Sequence, residues 1–417
     1  MSENEKKGLQ AMAVFMVAAL LALLTFLSYE EAHRVRFADR RVGNAITMSS
    51  GTGKKTEDFR VEDFAKVEEL FLGTPSYYET LSDIERCVNL KRLEIGVRGG
   101  RDWIPEEEDI LGEEGIARLE RELADILESC GQLEYLYIYN GNGTCRLSSL
   151  EFLEKGKKLK YLLLYQMGKL DYSSVSSCSS IWSLMLIGCS VTESDLREIG
   201  RMENLHALCL AGAPITELGS IAELENLEML FLDGTAIAEL GNIVELENLE
   251  LLWLNDTAIA GVEGIGKLEN LQELNLSETA ITELGSIVEL ENLEQLYLSN
   301  TSIAGVEGIG KLENLHMLEL SDTAVTELGD IVELENLEHL YLSNTSIAGV
   351  EGIGKLENLK TLFLYGTEIT EAGELVNLKN LQTLNIADTP LVGNKEELKL
   401  LREALPDTKI VTYGTGW

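Results

Sequence analysis

The sequence predicts an α/β solenoid, and three observations predict it. A box reading Leu-Glu-Asn-Leu, or a close variant, starts at Met202, Leu224, Leu246, Leu268, Leu290, Leu312, Leu334, Leu356 and Leu378, and neighbouring boxes are always 22 residues apart. Within each copy leucines alternate with other residues over a few positions, the spacing of a short β-strand. No single copy can bury its own leucines, so the copies must stack into one continuous core.

Residues 224–245 show how one copy works. Leu227, Leu230, Leu232, Thr235 and Ile237 form the pattern L-x-x-L-x-L-x-x-T-x-I, and Leu230, Phe231 and Leu232 read as a strand with its leucines facing in. Leu240 and Ile243 supply a second apolar pair on the return path, with Gly241 and Asn242 as turn residues. These residues resemble leucine-rich repeats of the short 22-residue class found in bacterial internalin-type surface proteins. Intracellular phosphatase-regulating leucine-rich proteins use a similar length. The strict match covers residues 202–389, and degenerate copies extend it towards Val67. The resemblance implies a horseshoe with a parallel β-sheet on its concave face, short helical or irregular segments on its convex face, and a protein that works by binding.

One departure from the family is plain. Where the family usually places Asn, at the ninth position, this chain has Thr235, Thr257, Thr279, Thr301, Thr323, Thr345, Thr367 and Thr389. A hydroxyl donates only one hydrogen bond, so a thinner hydroxyl ladder is expected there. A second beat of 44 residues also runs through the array: residues 290–311 and 334–355 are nearly identical, and the return segments alternate between a Glu-Leu-Gly type and a Gly-Val-Glu-Gly-Ile-Gly-Lys type. Duplication of a two-repeat unit is the simplest account.

Net charge is −37, from 71 acidic and 34 basic residues. This excludes nucleic acid as a partner, because phosphate binding needs clustered Lys and Arg. The acid keeps an extended leucine-rich surface soluble; the sharper alternative is an acidic face that recruits a basic partner or cations. Cys87, Cys130, Cys145, Cys178, Cys189 and Cys209 all precede or open the regular array, with no C-x-x-C pair among them. Buried thiols are expected, with one disulfide open if the domain is extracytoplasmic.

In chain order, residues 1–8 form a tail. Residues 9–29 carry no charge over 21 positions, long enough to span a bilayer and longer than the core of a cleaved signal peptide. An uncleaved signal-anchor is the expectation; a cleaved signal or a buried helix fits less well. Arg34, Arg36, Arg40 and Arg41 follow the span and only Lys6 and Lys7 precede it, so the positive-inside rule places the C-terminal side in the cytoplasm. The internalin resemblance implies the opposite, an extracytoplasmic array, and is preferred. Polar residues 30–58 read as a tether. Residues 59–201 read as an N-terminal cap, starting at Phe59, Val61 and Phe64, followed by irregular repeats with strands at 67–72, 90–95, 133–138, 159–164 and 181–186. Between the second and third strands, Ile116, Leu119, Leu123, Ile126 and Leu127 predict an amphipathic helix over 115–130. Regular repeats fill 202–389. Residues 390–417 close the solenoid with a helical pattern at Leu398, Leu400 and Leu401 and a last strand at 409–413.

Residues 261–267, 305–311 and 349–355 each satisfy the phosphate-loop pattern G-x-x-x-x-G-K, but Leu268, Leu312 and Leu356 stand where magnesium needs a hydroxyl. They read as tight convex returns. His316 and His339 lie on adjacent strands near Glu319 and Glu338 but out of register, so neither a metal site nor any cofactor is assigned. No catalytic motif is found, and the chain is read as a non-enzyme.

The variable positions lie on the strands. Between the inner leucines run Cys209, Phe231, Trp253, Asn275, Tyr297, Glu319, Tyr341, Phe363 and Asn385, and beside them Met229, Leu251, Glu273, Gln295, Met317, His339 and Thr361. Exposed aromatics ringed by polar groups suit a protein-binding patch, although they also pack laterally on one another. The candidate ligand-binding set is Met229, Phe231, Leu251, Trp253, Gln295, Tyr297, Met317, Glu319, His339, Tyr341 and Phe363. The reading is a membrane-anchored protein that docks a protein or glycan on its concave face at the bacterial surface. The rivals are a cytoplasm-facing scaffold similar to the phosphatase-binding proteins, and a structural spacer.

Overall fold

The computed structural model describes residues 35–98 and 110–414. The uncharged stretch 9–29 lies outside them, as do His33 and residues 1–8; among the described residues no helix is long and apolar enough to cross a membrane.

Among the described residues fifteen parallel strands follow one another in chain order. In the irregular half they are β1 (Glu69–Leu72), β2 (Arg92–Val97), β3 (Tyr135–Asn140), β4 (Tyr161–Gly168) and β5 (Ser183–Cys189). The regular array contributes β6 (Ala207–Cys209), β7 (Met229–Phe231), β8 (Leu251–Trp253), β9 (Glu273–Asn275), β10 (Gln295–Tyr297), β11 (Met317–Glu319), β12 (His339–Tyr341), β13 (Thr361–Phe363) and β14 (Thr383–Asn385). β15 (Lys409–Val411) closes the sheet. Register superposes equivalent leucines, as in Leu230↔Leu252 and Leu252↔Leu274. One side of the sheet is therefore a row of leucines: Leu227, Leu230, Leu232, Leu249, Leu252 and Leu254 are all fully buried. Burying one leucine side chain contributes roughly 2 kcal/mol, and each repeat contributes several.

Each strand of the array ends at a turn that needs a positive φ. Gly212, Gly234 and Gly366 adopt it without a Cβ. Asp256, Asn300, Asp322, Asn344 and Asp388 do so with short polar side chains, which tolerate this region best after glycine. Glu278, at φ 58°, is the misfit of the column.

Two hydrogen-bond series then replace the expected hydroxyl ladder. All eight threonines of the ninth position donate to the carbonyl three residues earlier in their own repeat, at 2.6–2.8 Å (Thr301 Oγ1 to Leu298 O, for example). They close the turn inside a repeat and do not bridge repeats. Bridging falls to the Asn of the Leu-Glu-Asn-Leu box. Asn226, Asn248, Asn270, Asn292, Asn314, Asn336, Asn358 and Asn380 each donate to a Glu carbonyl of the preceding copy, at 2.7–3.0 Å. The threonine hydroxyl is taken up by a carbonyl of its own repeat, whereas the asparagine N–H, carried one bond further from Cβ, reaches the preceding copy.

The opposite side is built from 3₁₀ turns that alternate in length, and this explains the 44-residue beat. Five-residue turns such as Gly285–Glu289 and Gly329–Glu333 alternate with three-residue turns at Ile265–Lys267, Ile309–Lys311 and Ile353–Lys355. A Cβ on Gly264, Gly308 or Gly352 would lie 3.8, 3.6 or 3.3 Å from Val244, Val288 or Val332 of the neighbouring turn. Gly285, Gly329 and Gly373 stand in the same way against Val262, Val306 and Val350. Valine of one type nests on glycine of the other, which suits the alternation that runs from Gly241 onward, whereas Gly219–Glu223 and Gly241–Glu245 are successive turns of the same type. The phosphate-loop pattern is thereby accounted for: the Gly308 N–H is taken by Asp330 at 2.6 Å, and the Gly266 Cα lies against the Glu289 carboxylate.

The ends are capped. The expected tether over 30–58 is corrected in its described part, because α1 (Arg40–Ser49) folds onto the first repeat with Val42 and Ile46 fully buried. Polar composition concealed an i, i+4 apolar pair, and Asp39 caps the helix by accepting from the Arg41 and Val42 N–H groups. Phe37, Phe59 and Phe64 cluster at 5.2–5.8 Å behind it. Burial would raise the Asp63 carboxyl, but Lys54, Lys66 and the Arg60 N–H outweigh it and hold it down at about 2. The insertion helix α2 (Glu113–Ser129) packs Leu119, Leu123, Ile126 and Leu127 on the solenoid, and α3 (Glu193–Ile199) serves one return segment. At the C-terminal end, α4 (Pro390–Gly393) and α5 (Lys395–Ala404) cover the last repeat; Leu401 is buried whereas Leu400 points to solvent. All six cysteines are free and buried. Burial pushes the thiols of Cys87, Cys130 and Cys145 up to about 12 and that of Cys209 to about 11.

Candidate functional site

The outer face of the sheet is where sequence varies without cost to the core. In every strand from β7 to β13 the middle residue is a buried leucine and its two neighbours are half-buried. The candidate residues fall in those neighbour positions: Met229 and Phe231 on β7, Leu251 and Trp253 on β8, Gln295 and Tyr297 on β10, Met317 and Glu319 on β11, His339 and Tyr341 on β12, and Phe363 on β13. Two corrections apply. The stripe was expected to be exposed, yet side chains on strands ~4.8 Å apart cover one another's flanks and leave each half-buried. And Cys209 and Asn385 at its ends are buried outright.

The rings fall into groups. Phe231 and Trp253 pack edge to face with centroids 5.2 Å apart, and Tyr341 and Phe363 do the same at 5.2 Å. Asn275 separates the first pair from Tyr297, and Glu319 separates Tyr297 from the second. Polar atoms fix the orientations. Trp253 Nε1 donates to Glu273 Oε1 at 2.8 Å, Tyr297 Oη to Gln295 Oε1 at 2.8 Å, and the Ser321 N–H to Glu319 Oε1 at 2.8 Å. Burial raises the Glu319 carboxyl and the Tyr297 and Tyr341 phenols above their ordinary values. Just after β7, burial likewise pushes the Asp233 carboxyl up to about 6. His339 Nε2 lies 4.0 Å from Glu338, whose carboxylate is bound at 2.6 Å by Lys360. Among the described residues no three His, Cys, Asp or Glu side chains converge as a metal site would require.

A second patch escaped the sequence reading. On the irregular repeats Tyr135 and Tyr161 stack face to face at 4.3 Å, Tyr161 meets Trp182 at 5.8 Å, and Trp182 stacks on His206 at 5.4 Å. Arg92 lies 5.0 Å from the Tyr137 ring and 5.8 Å from that of Phe71, which is 52% exposed. The signal was present: these residues occupy the positions beside the inward leucines of strands placed correctly by their alternation, such as Tyr137 between Leu136 and Ile138.

Known proteins agree with this architecture. The family model for the leucine-rich repeat region matches residues 158–302 and 280–406, more than half of the chain. The chain belongs to the leucine-rich repeat family. No curated protein sequence matches it. Among solved structures, an internalin of Listeria monocytogenes is similar at 20% identity and a TM-score of 0.63, covering 84% of this chain and 95% of its own. A leucine-rich repeat protein of Leptospira interrogans is similar at 23% identity and a TM-score of 0.61, covering 84% and 90%. A plant peptide hormone receptor, solved in complex with RGF2, has 19% identity and a TM-score of 0.50, covering 79% of this chain and 57% of its own. At these identities the likeness is one of fold, and it is a resemblance to internalin-type leucine-rich repeat proteins.

Proposed function

We propose that this leucine-rich repeat protein is a membrane-anchored binding protein whose sheet face docks a protein ligand at the bacterial cell surface. One observation carries the docking: between Tyr135 and Phe363, groups of half-buried rings lie on the side of the sheet that the leucine core does not use. Large rigid side chains in such places contribute contact area at low entropic cost. The fold shared with a receptor solved in complex with RGF2 supports a protein rather than a glycan as ligand. The anchor rests on the 21 uncharged residues 9–29 and the surface location on the internalin-like fold.

A photo-crosslinking residue at 231, 253 or 297, and at 263 or 307 on the opposite side, tests the docking face. A discrete protein adduct is expected from the first three positions only. Equal adducts from both sides, or none from the face, would refute it. Trp253→Ala with Tyr297→Ala should remove the adduct while leaving the circular dichroism spectrum intact.

The four arginines after the uncharged stretch favour a second reading, a cytoplasm-facing scaffold. A tag after Trp417 and protease added to intact cells separate the two. Cleavage of the tag supports the surface reading, and protection until lysis supports the scaffold.

A further inference from the structure

Resting on that docking face, we infer the chemistry of its occupant: an extended, arginine-rich segment of a partner protein, laid across β7 to β12. The two halves of the face differ in how their charges are satisfied. In the irregular half carboxylates on or beside the face meet cations: Lys91 with Glu68 at 2.7 Å, Arg92 with Glu94 at 2.5 Å, Lys160 with Glu134 at 3.4 Å. In the array, each strand from β7 to β12 brings a carboxylate to the face or its leading edge, namely Glu228, Glu250, Glu273, Glu294, Glu319 and Glu338. Among the described residues only Glu338 has a cationic partner from the array, Lys360 and, if protonated, His339. Residues 202–389 hold 34 acidic residues against five lysines and no arginine, and Lys267, Lys311 and Lys355 sit in the 3₁₀ turns on the opposite side, away from the row.

These carboxylates alternate with the rings of Phe231, Trp253, Tyr297 and Tyr341, and that combination selects arginine over lysine. A guanidinium binds a carboxylate through its edge and an aromatic ring through its face. The dimensions fit one segment. Six strands span five steps of ~4.8 Å, about 24 Å, which an extended chain covers in about seven residues. The negative field of the whole array would speed the encounter and make it sensitive to salt.

The full 417-residue chain is titrated at ~0.1 M salt, where an exposed charge reaches only ~10 Å, with a synthetic heptapeptide of alternating arginine and serine. The variant Glu228→Gln/Glu250→Gln/Glu294→Gln should bind it about tenfold more weakly, or 1.4 kcal/mol. Glu263→Gln/Glu307→Gln/Glu351→Gln removes the same charge from the opposite side and should weaken binding less than about twofold, since screening confines each charge to its neighbourhood. None of these six side chains is buried or ion-paired, so both variants should fold like the parent. Equal weakening by the two triples would show bulk charge alone and overturn the inference. So would an unaffected face triple, or a parent chain that does not bind the peptide. If the peptide ignores the face triple while face-positioned crosslinkers still capture a protein, the docking face stands and only its preference for arginine falls. If the face captures nothing, both fall.

Discussion

The two halves of this solenoid solve one packing problem by different means. The irregular repeats use strands of four to eight residues, a packed helix α2 and internally paired charges. From β6 onward the strands shrink to three residues, and periodic side-chain bonds take over: threonine closes each turn and asparagine joins each repeat to the last. The first half can vary its sequence because its stability is spread over long ladders. The second repeats its sequence because each copy must supply the same few contacts.

The largest test of this contrast is truncation of an inward leucine. Leu296 in the array and Leu136 in the irregular half are both fully buried. Either one changed to Ala should cost about 3–5 kcal/mol, the transfer term plus the cavity left behind. Because the sheet is continuous from β1 to β15, both variants should shift a single urea transition. Two transitions, with only one of them moved, would show that the halves unfold independently.

The periodic bonds are the next step down. Thr301→Val keeps the shape but leaves the buried Leu298 carbonyl without its donor, at a cost of about 1–2 kcal/mol by denaturation. Asn314→Ala removes a bond between repeats in a solvent-exposed setting and should cost less, about 0.5 kcal/mol. If the asparagine proves the more costly of the two, inter-repeat bridging rather than turn closure holds the array. Glu278 runs the other way. It is a long side chain in a left-handed position that neighbouring repeats fill with Asp, Asn or Gly, so Glu278→Gly should stabilise by up to about 1 kcal/mol. A loss on that substitution would mean the glutamate makes a compensating contact.

Most of the architecture was legible because one period fixes both what is buried and what pairs. Leu227, Leu230 and Leu232 need no tertiary information to be placed. What was missed needed three dimensions. The role of the box asparagine appears only when the preceding copy is stacked beside it, 23 residues back for Asn314 and Glu291. The Val288–Gly308 nesting that accompanies alternation is likewise a contact between copies. α1 was concealed because only two large apolar side chains, Val42 and Ile46, are buried in its ten residues, beside the small or polar Gly43 and Thr47. On the face, the candidate rings were placed on the correct side of the strands. The stack of Tyr135, Tyr161, Trp182 and His206 was passed over, because degenerate spacing drew the eye away from positions that register makes equivalent.

The smallest expected effect sharpens the comparison most, because it should change sign between the halves. Salt limits the reach of an exposed charge to about a Debye length, ~10 Å at 0.1 M. In the irregular half it weakens attractive exposed pairs such as Lys91–Glu68 and Lys160–Glu134, which contribute little because water already screens them. In the array it weakens repulsion among carboxylates that carry almost no counter-charge. Raising sodium chloride from 0.05 to 0.5 M should therefore slow amide exchange in β7–β13 by about twofold, and leave β2–β5 unchanged or slightly faster. Hydrogen exchange read by mass spectrometry resolves the two regions in one sample. Exchange that slows equally in both would mean that salt acts through the leucine core common to the whole sheet, and that the acid of the array costs the fold nothing.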